Sequence, residues 1–345
     1  MTIRLIAGIS LALGAAIPAV AAPRAPDRVL LVVSGHGADA GKTRPGFEME
    51  ELAQAYLVFA ANGLTVDIAS PAGGAVTADA HEPDKPYIRQ FLADPAAMAK
   101  LAATRPLRDV GDAGYGAVFI IGGKGAMFDL PVNADLKALL AATHEAGGVV
   151  GAVCHGPAAL INVPLAGGGQ LAEGRRMTGF SNEEEALFGK KWAKSFPVRL
   201  EDGLRGVGAR FSAAPMMLSH VVVDGRLVTG QNPYSTPQAA EAVVRAMGRT
   251  VAARQPWADE RSIALIGRIL AGETAEASRL LAANPAHYDP PLIAMWGFYR
   301  ARAAGNDRTA LAQAIAVMEI AQPHFPEPRL ASAITEQRAR LASLR

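Results

Sequence analysis

The chain has a single cysteine, Cys154, and it stands in the run GAVCHGPAAL (151–160) with His155 directly after it. One thiol cannot close an internal disulfide, so it is either an inert core side chain or one kept for its reactivity. Apolar neighbours alone would favour the core. The local pattern points the other way. GVVGAV reads as a buried strand and HGPAAL as the start of a helix, so Cys154 falls on the abrupt step between them. A nucleophile at such a step is held exposed on a tight turn, with backbone N–H groups and the positive helix end beside it. Those features lower a thiol's pKa, so a thiolate is expected here. Gly156 permits the tight backbone and Pro157 suits a first helical turn.

A reactive thiol needs a group that holds or moves protons. GFEMEELAQAYLVFAANG (46–63) has apolar residues at helical spacing, and Glu51 leads the apolar row Ala55 and Val58. Glu50 leads instead to Gln54, a more solvated row, and Glu48 fits a solvated helix-start carboxylate. Glu51 is therefore either another helix-start glutamate or a buried carboxyl whose pKa is raised by burial and a neighbouring thiolate. In the second case it could stay protonated, hydrogen-bond the sulfur and shuttle a proton. GGKG (122–125) follows another strand. It is an ordinary turn, or it presents the N–H groups of Gly122, Gly123 and Lys124 to a developing oxyanion, with the N–H of His155 as a further donor. A phosphate-binding G-x-x-x-x-G-K-[ST] run is absent, and His36, His81, His144 and His220 show no metal-ligand spacing.

The elements that must position these residues alternate. RVLLVV, LTVDIAS, YGAVFII and GVVGAV are apolar strands, each followed by a glycine-rich or proline-rich stop and then a helical pattern. SHVVVDGRLVTGQNP reads as a hairpin turning at Asp224-Gly225, and STPQAAEAVVRAMG as a closing helix. The pattern predicts an α/β fold with a doubly wound, mostly parallel sheet covered on both faces. Ligands bind such sheets beyond the carboxyl ends of the strands, where Cys154 and GGKG both fall. Residues 71–116 read as a partly helical insertion near the mouth of the site. Beyond 254 only helical spacing remains, predicting an α-helical C-terminal extension over 255–345, packed on the main domain or on a second subunit.

Half of the 345 residues are hydrophobic, 19% are charged, and the net charge is +2. No basic, aromatic-interleaved block supports nucleic-acid binding. Residues 1–22 run from Arg4 through an uncharged apolar stretch to Ala19-Val20-Ala21, which reads as a signal peptide cleaved near Ala21/Ala22. That predicts an exported, periplasmic protein with no stable membrane insertion after cleavage.

GFEMEELAQAY with VDIASPAGG, GGKGAMFDLP, GAVCHGPAAL, TGFSNEEEALFG and DGRLVTGQNPYST, in this order along the chain, resemble the DJ-1/PfpI superfamily (class I glutamine amidotransferase-like), nearest to its Hsp31-like glyoxalase III branch. The resemblance covers roughly residues 28–250 and implies a flavodoxin-like fold. Its cysteine nucleophile, adjacent histidine and first-helix glutamate fall on Cys154, His155 and Glu51. It also implies an acidic partner for His155, assigned to Glu185, with Glu183 and Glu184 as alternatives; at least two of the three are expected to be solvated. Lys124 stands where many Hsp31-like proteins have histidine. The implied activity is cofactor-independent conversion of methylglyoxal, a small reactive aldehyde, to D-lactate through a hemithioacetal on Cys154. Rival readings within the superfamily are a holdase or thiol redox sensor, and a cysteine peptidase or deglycase. The reading leaves a homodimer open.

Overall fold

A computed structural model describes residues 26–111, 114–189 and 191–344. The expected signal peptide lies outside these residues. Nine strands and eight helices build the first part of the chain. In order they are β1 (Arg28–Val32), α1 (Met49–Ala61), β2 (Thr65–Ser70), α2 (Pro86–Leu92), α3 (Pro95–Ala102), β3 (Arg105–Pro106), β4 (Ala117–Ile120), α4 (Ala126–Asp129), α5 (Ala134–Glu145) and β5 (Val149–Val153). There follow β6 (Arg176–Met177), α6 (Asn182–Phe188), α7 (Leu200–Gly206), β7 (Arg210–Phe211), β8 (Val221–Asp224), β9 (Leu227–Gly230) and α8 (Thr236–Ala246).

Seven strands form one sheet in the order β3-β2-β1-β4-β5-β9-β8, parallel throughout except for the β8–β9 hairpin. The central strands are buried on both faces, which explains their continuous apolar runs. Gly225, at φ +62°, takes the left-handed conformation that the hairpin turn requires. Asn133 caps α5, its side chain accepting from the N–H of Leu136 at 2.8 Å. The doubly wound α/β fold expected from the sequence is thus present.

The segment between β2 and β4 behaves differently from expectation. Its helices α2 and α3 pack over α1 and β2 rather than at the site, and only the stretch around Asp79 to Glu82 reaches the rim. HGPAAL also departs from the reading: it forms one short 3-10 helix, Gly156–Leu160, and no longer helix follows the thiol.

Five helices make the extension: α9 (Ala258–Leu270), α10 (Thr274–Ala283), α11 (Pro290–Ala303), α12 (Arg308–Ala321) and α13 (Pro328–Ser343). Their apolar stripes meet in a second core that includes Ile263, Ile266, Trp296, Leu311 and Met318, and Met216 and Met217 of the α/β part belong to it too. The indole N–H of Trp296 donates to the Met216 carbonyl at 2.9 Å. Asp259 of α9 accepts from Tyr87 Oη of α2 at 3.0 Å, and Arg300 of α11 pairs with Glu183 of α6 at 2.9 Å. The extension therefore docks on the α/β layer close to α6, which carries part of the site.

Candidate active site

Cys154 ends β5 at φ +60°, a left-handed backbone that costs a non-glycine residue on the order of 1–2 kcal/mol. The turn is held from both sides. The N–H of Cys154 donates to the Gly230 carbonyl of β9 at 3.0 Å, and its carbonyl accepts from the N–H of Phe180 at 2.9 Å. Two glycines let the backbones come together. A Cβ at Gly122 would stand 2.7 Å from Cys154 Cβ, and one at Gly156 would stand 2.6 Å from the Ile120 carbonyl oxygen.

Glu51 reaches the same point from α1 and is completely buried. A reciprocal pair of bonds ties the helix start to the loop after β4. The N–H of Glu48 donates to the Gly122 carbonyl at 3.2 Å, and the N–H of Gly122 donates to Glu51 Oε2 at 2.7 Å. Glu51 Oε1 meets no donor in protein N–H or O–H form among the described residues, and the Cys154 thiol is the group left to pair with this carboxyl. Burial pushes the Glu51 carboxyl up to about 8, against the pull of the thiol and the Gly122 N–H.

The thiol does not behave as the elbow suggested. Burial pushes Cys154 well above the ordinary thiol range, and the carboxyls of Glu51 and Glu48 push the same way. The N–H of Gly123 works in the opposite direction and is outweighed. The expected resting thiolate is therefore replaced by a protonated thiol, because a five-residue 3-10 helix supplies little dipole and the sulfur is buried.

His155 supplies what the elbow lacks. Its Nδ1 lies 3.5 Å from Cys154 Sγ, and its Nε2 lies 2.8 Å from Glu185 Oε2. Burial lowers the His155 pKa, and Glu185 opposes the shift. A neutral ring whose Nε2–H donates to Glu185 leaves the Nδ1 lone pair facing the sulfur. Phe180 packs against the ring at 4.5 Å between centroids, fixing its plane.

The three glutamates of NEEE divide by face of α6. Glu183 is exposed and pairs with Arg300. Glu185 holds His155. Glu184, expected among the solvated ones, is completely buried and accepts from Met217 N–H, Asn232 Nδ2, Gln231 Nε2 and Ser181. It knits α6, the β8 approach and the loop after β9 into one wall. So one of the three is solvated, not two. The sequence signal for Glu184 was the Ser181-x-x-Glu184 capping box, which the structure closes.

Gly122 also departs from its expected part, since its N–H is spent on Glu51. The N–H of Gly123 faces the sulfur, while the N–H groups of Lys124 and His155 donate to no described residue. These last two are the donors available to an oxyanion. Glu48, read as a solvated helix-start residue, is half-buried and lines the cavity. Glu50 and Gln54, read as a solvated row, are 8% and 2% exposed, because α2 and α9 cover that face of α1.

The cavity over Cys154 holds about 270 Å³. Glu48, Lys124, His155 and Phe180 line one side, and Tyr234, Met295 and Tyr299 the other. Met295 and Tyr299 belong to α11, so the extension forms part of the wall. Sequence reasoning placed no site residue there.

A thiol at a strained strand end, a histidine oriented by a glutamate and a buried glutamate from the first helix, all on a mostly parallel sheet, define a cysteine-centred α/β enzyme-like site. The profile of the DJ-1/PfpI family matches residues 43–246, and the chain belongs to that family. It is 31% identical over 232 residues to a Saccharomyces cerevisiae protein named glutathione-independent glyoxalase HSP31, an alignment covering 63% of this chain and 96% of that one. To a Schizosaccharomyces pombe protein named glutathione-independent glyoxalase hsp3101 it is 37% identical over 134 residues, 37% of this chain and 55% of the relative. Among solved structures, glyoxalase III from Candida albicans superposes with a TM-score of 0.59 at 27% identity, covering 64% of this chain and 96% of that one. The Francisella tularensis Rapid Encystment Protein superposes with a TM-score of 0.60 at 32% identity, covering 64% and 98%.

Proposed function

We propose that the protein is a glutathione-independent glyoxalase that converts methylglyoxal to D-lactate. The observation that carries this reading is the line Glu185–His155–Cys154 with the carboxyl of Glu51 on the other side of the sulfur, closed inside a small cavity. The cavity's size and its roof of Met295 and Tyr299 favour a small aldehyde over a polypeptide. A buried thiol with a raised pKa argues against a freely oxidised sensor.

In the proposed cycle, Cys154 sulfur adds to the aldehyde carbon as its proton passes to His155 Nδ1 and on to the aldehyde oxygen, giving a hemithioacetal. Lys124 and His155 N–H groups stabilise the transient alkoxide. Ionised Glu51 removes the hydrogen from that carbon, and the electron pair moves toward the neighbouring carbonyl oxygen, which takes the hemithioacetal hydroxyl proton by way of His155. Glu51 then returns its proton to the second carbon as the enediolate collapses to the thioester. The first carbon is oxidised to a thioester and the second reduced to an alcohol, so no external redox partner is consumed. Water cleaves the thioester, releasing lactate and the thiol. A carboxyl whose pKa is about 8 suits this work, since it both gives and takes a proton near neutral pH. Export of the mature protein after cleavage near Ala21/Ala22 is part of the same proposal, and would make the substrate an aldehyde outside the cytoplasm.

The test is lactate formation from methylglyoxal without glutathione, by the reduced protein and by Cys154→Ala and Glu51→Gln. Turnover by the parent, lost in both variants, is the expected result. Absence of turnover in the parent overturns the proposal.

A further inference from the structure

A second chamber, of about 370 Å³, lies behind the catalytic cavity and shares Glu48, Pro233 and Tyr234 with it as a common wall. Its lining is mostly acidic: Glu48, Glu50, Glu82 and Asp259 contribute carboxyl groups, and Lys85 and His81 are the basic side chains among them. Lys85 Nζ stands 3.8 Å from Glu82 Oε1, and its charge also acts on Asp259. Glu50, 8% exposed, uses Oε1 on the N–H of Glu82 at 3.4 Å, and the Glu48 carboxyl hydrogen-bonds to it. Gln54, 2% exposed, donates its Nε2 to Asp259 at 3.4 Å and leaves Oε1 unpartnered.

A buried amide oxygen without a donor carries a desolvation cost of about 1–3 kcal/mol, and it shares the wall of this space with the hydrogen-bonded carboxyl pair of Glu48 and Glu50. A group that brings both positive charge and N–H donors would satisfy the amide oxygen and suit the pair. Among the described residues no three His, Cys, Asp or Glu side chains stand close enough to hold a metal ion, so the lining is not shaped as a metal cage. We propose that this chamber binds a small organic cation bearing N–H donors, an ammonium or a guanidinium, against Glu50 and Gln54.

Asp259 comes from α9, so the chamber exists only because the extension is docked. A cation there sits beside Glu48, whose carboxyl is held well above its ordinary range by burial and by Glu50 and Glu51. Glu48 in turn adds to the charge acting on Cys154. Occupancy would favour the ionised form of Glu48, linking the two cavities through their common wall.

The proposal is tested by calorimetric titration of the whole chain with methylguanidinium and methylammonium chloride at constant ionic strength, which needs no turnover and so stands or falls apart from the glyoxalase reading. Tetramethylammonium, equal in charge but without N–H donors, is the control ligand. N-acetylarginine amide run in parallel separates a peptide side chain, which would bind as tightly as methylguanidinium, from a free cation, which would bind tighter. Saturable one-to-one binding is expected, weakened at least tenfold in Glu50→Gln and with tetramethylammonium, and unchanged in Glu183→Gln, which removes an equal charge on α6. Glu82→Gln, at a side chain 76% exposed and so safe for folding, should weaken it severalfold. Absence of saturable binding, equal binding of tetramethylammonium, or no weakening in both Glu50→Gln and Glu82→Gln would overturn the proposal.

Discussion

Replacing Glu51 by glutamine should make the protein's stability less sensitive to pH, in a direction and size that the buried carboxyl dictates. Glutamine keeps an acceptor for the Gly122 N–H and cannot ionise. In the folded wild type the carboxyl titrates at about 8, against an ordinary 4.5 once unfolded. The folded state therefore holds its proton where the unfolded state releases it, and stability falls as pH rises. The contribution is fully present below pH 4.5 and is lost progressively as pH climbs to about 8. At about 1.4 kcal/mol for each tenfold in proton affinity, the full span is worth about 5 kcal/mol. Integrated between pH 5 and pH 8 it comes to about 3–4 kcal/mol. The measurement is urea denaturation of wild type and Glu51→Gln at several pH values in that interval, with the thiol kept reduced. The stability of Glu51→Gln relative to wild type should rise by about that amount from the acid to the alkaline end. A difference that is flat with pH would refute the reasoning, since Glu51 would then ionise in the folded state as easily as in the unfolded one.

Two further outcomes follow from the geometry. Glu185→Gln removes the charge that fixes the His155 tautomer, so kcat for methylglyoxal should fall on the order of 10²- to 10⁴-fold with KM little changed; an unaltered kcat would show that Glu185 does not orient the ring. Trp296→Ala empties the centre of the second core and deletes the bond to the Met216 carbonyl, so it should cost about 3–5 kcal/mol, read as a lower denaturation midpoint. An unchanged midpoint would mean that the extension is not packed on the α/β layer as described.

Much of this site was legible because it depends on short-range signals. A strand ending in Val153, a lone thiol, a histidine and glycines at fixed offsets describe a local turn, and local turns are written in adjacent residues. The Glu51 row was legible for a similar reason, since helical spacing tells which side of α1 meets the sheet. What spacing could not tell was what covers the opposite side. Glu50 and Gln54 read as solvated because the covering residues, Tyr87 and Asp259, lie 30 or more positions away and belong to an insertion and to the extension. Glu184 and Glu185 were blurred into one acidic run because consecutive helical residues diverge by about 100°, and which of them turns inward depends on where α6 sits. The walls contributed by Met295 and Tyr299 were out of reach for the same reason: no local pattern says against which face a C-terminal helix will dock.

The thiol's pKa shows what such long-range packing changes. At the level of the turn, Cys154 has what should favour a thiolate: a strained step, a nearby N–H and a following helical segment. Once the helices close over it, burial outweighs those aids and the proton stays on sulfur. A buried thiol of this kind cannot rely on a standing thiolate, so reactivity passes to a base that is itself neutral in the same environment. His155, with its pKa lowered by burial and Nδ1 aimed at the sulfur, is that base, and Glu185 is what makes its acceptance of a proton affordable in a low dielectric. The histidine beside the thiol therefore matters more in the folded chain than the helix end that first drew attention to it.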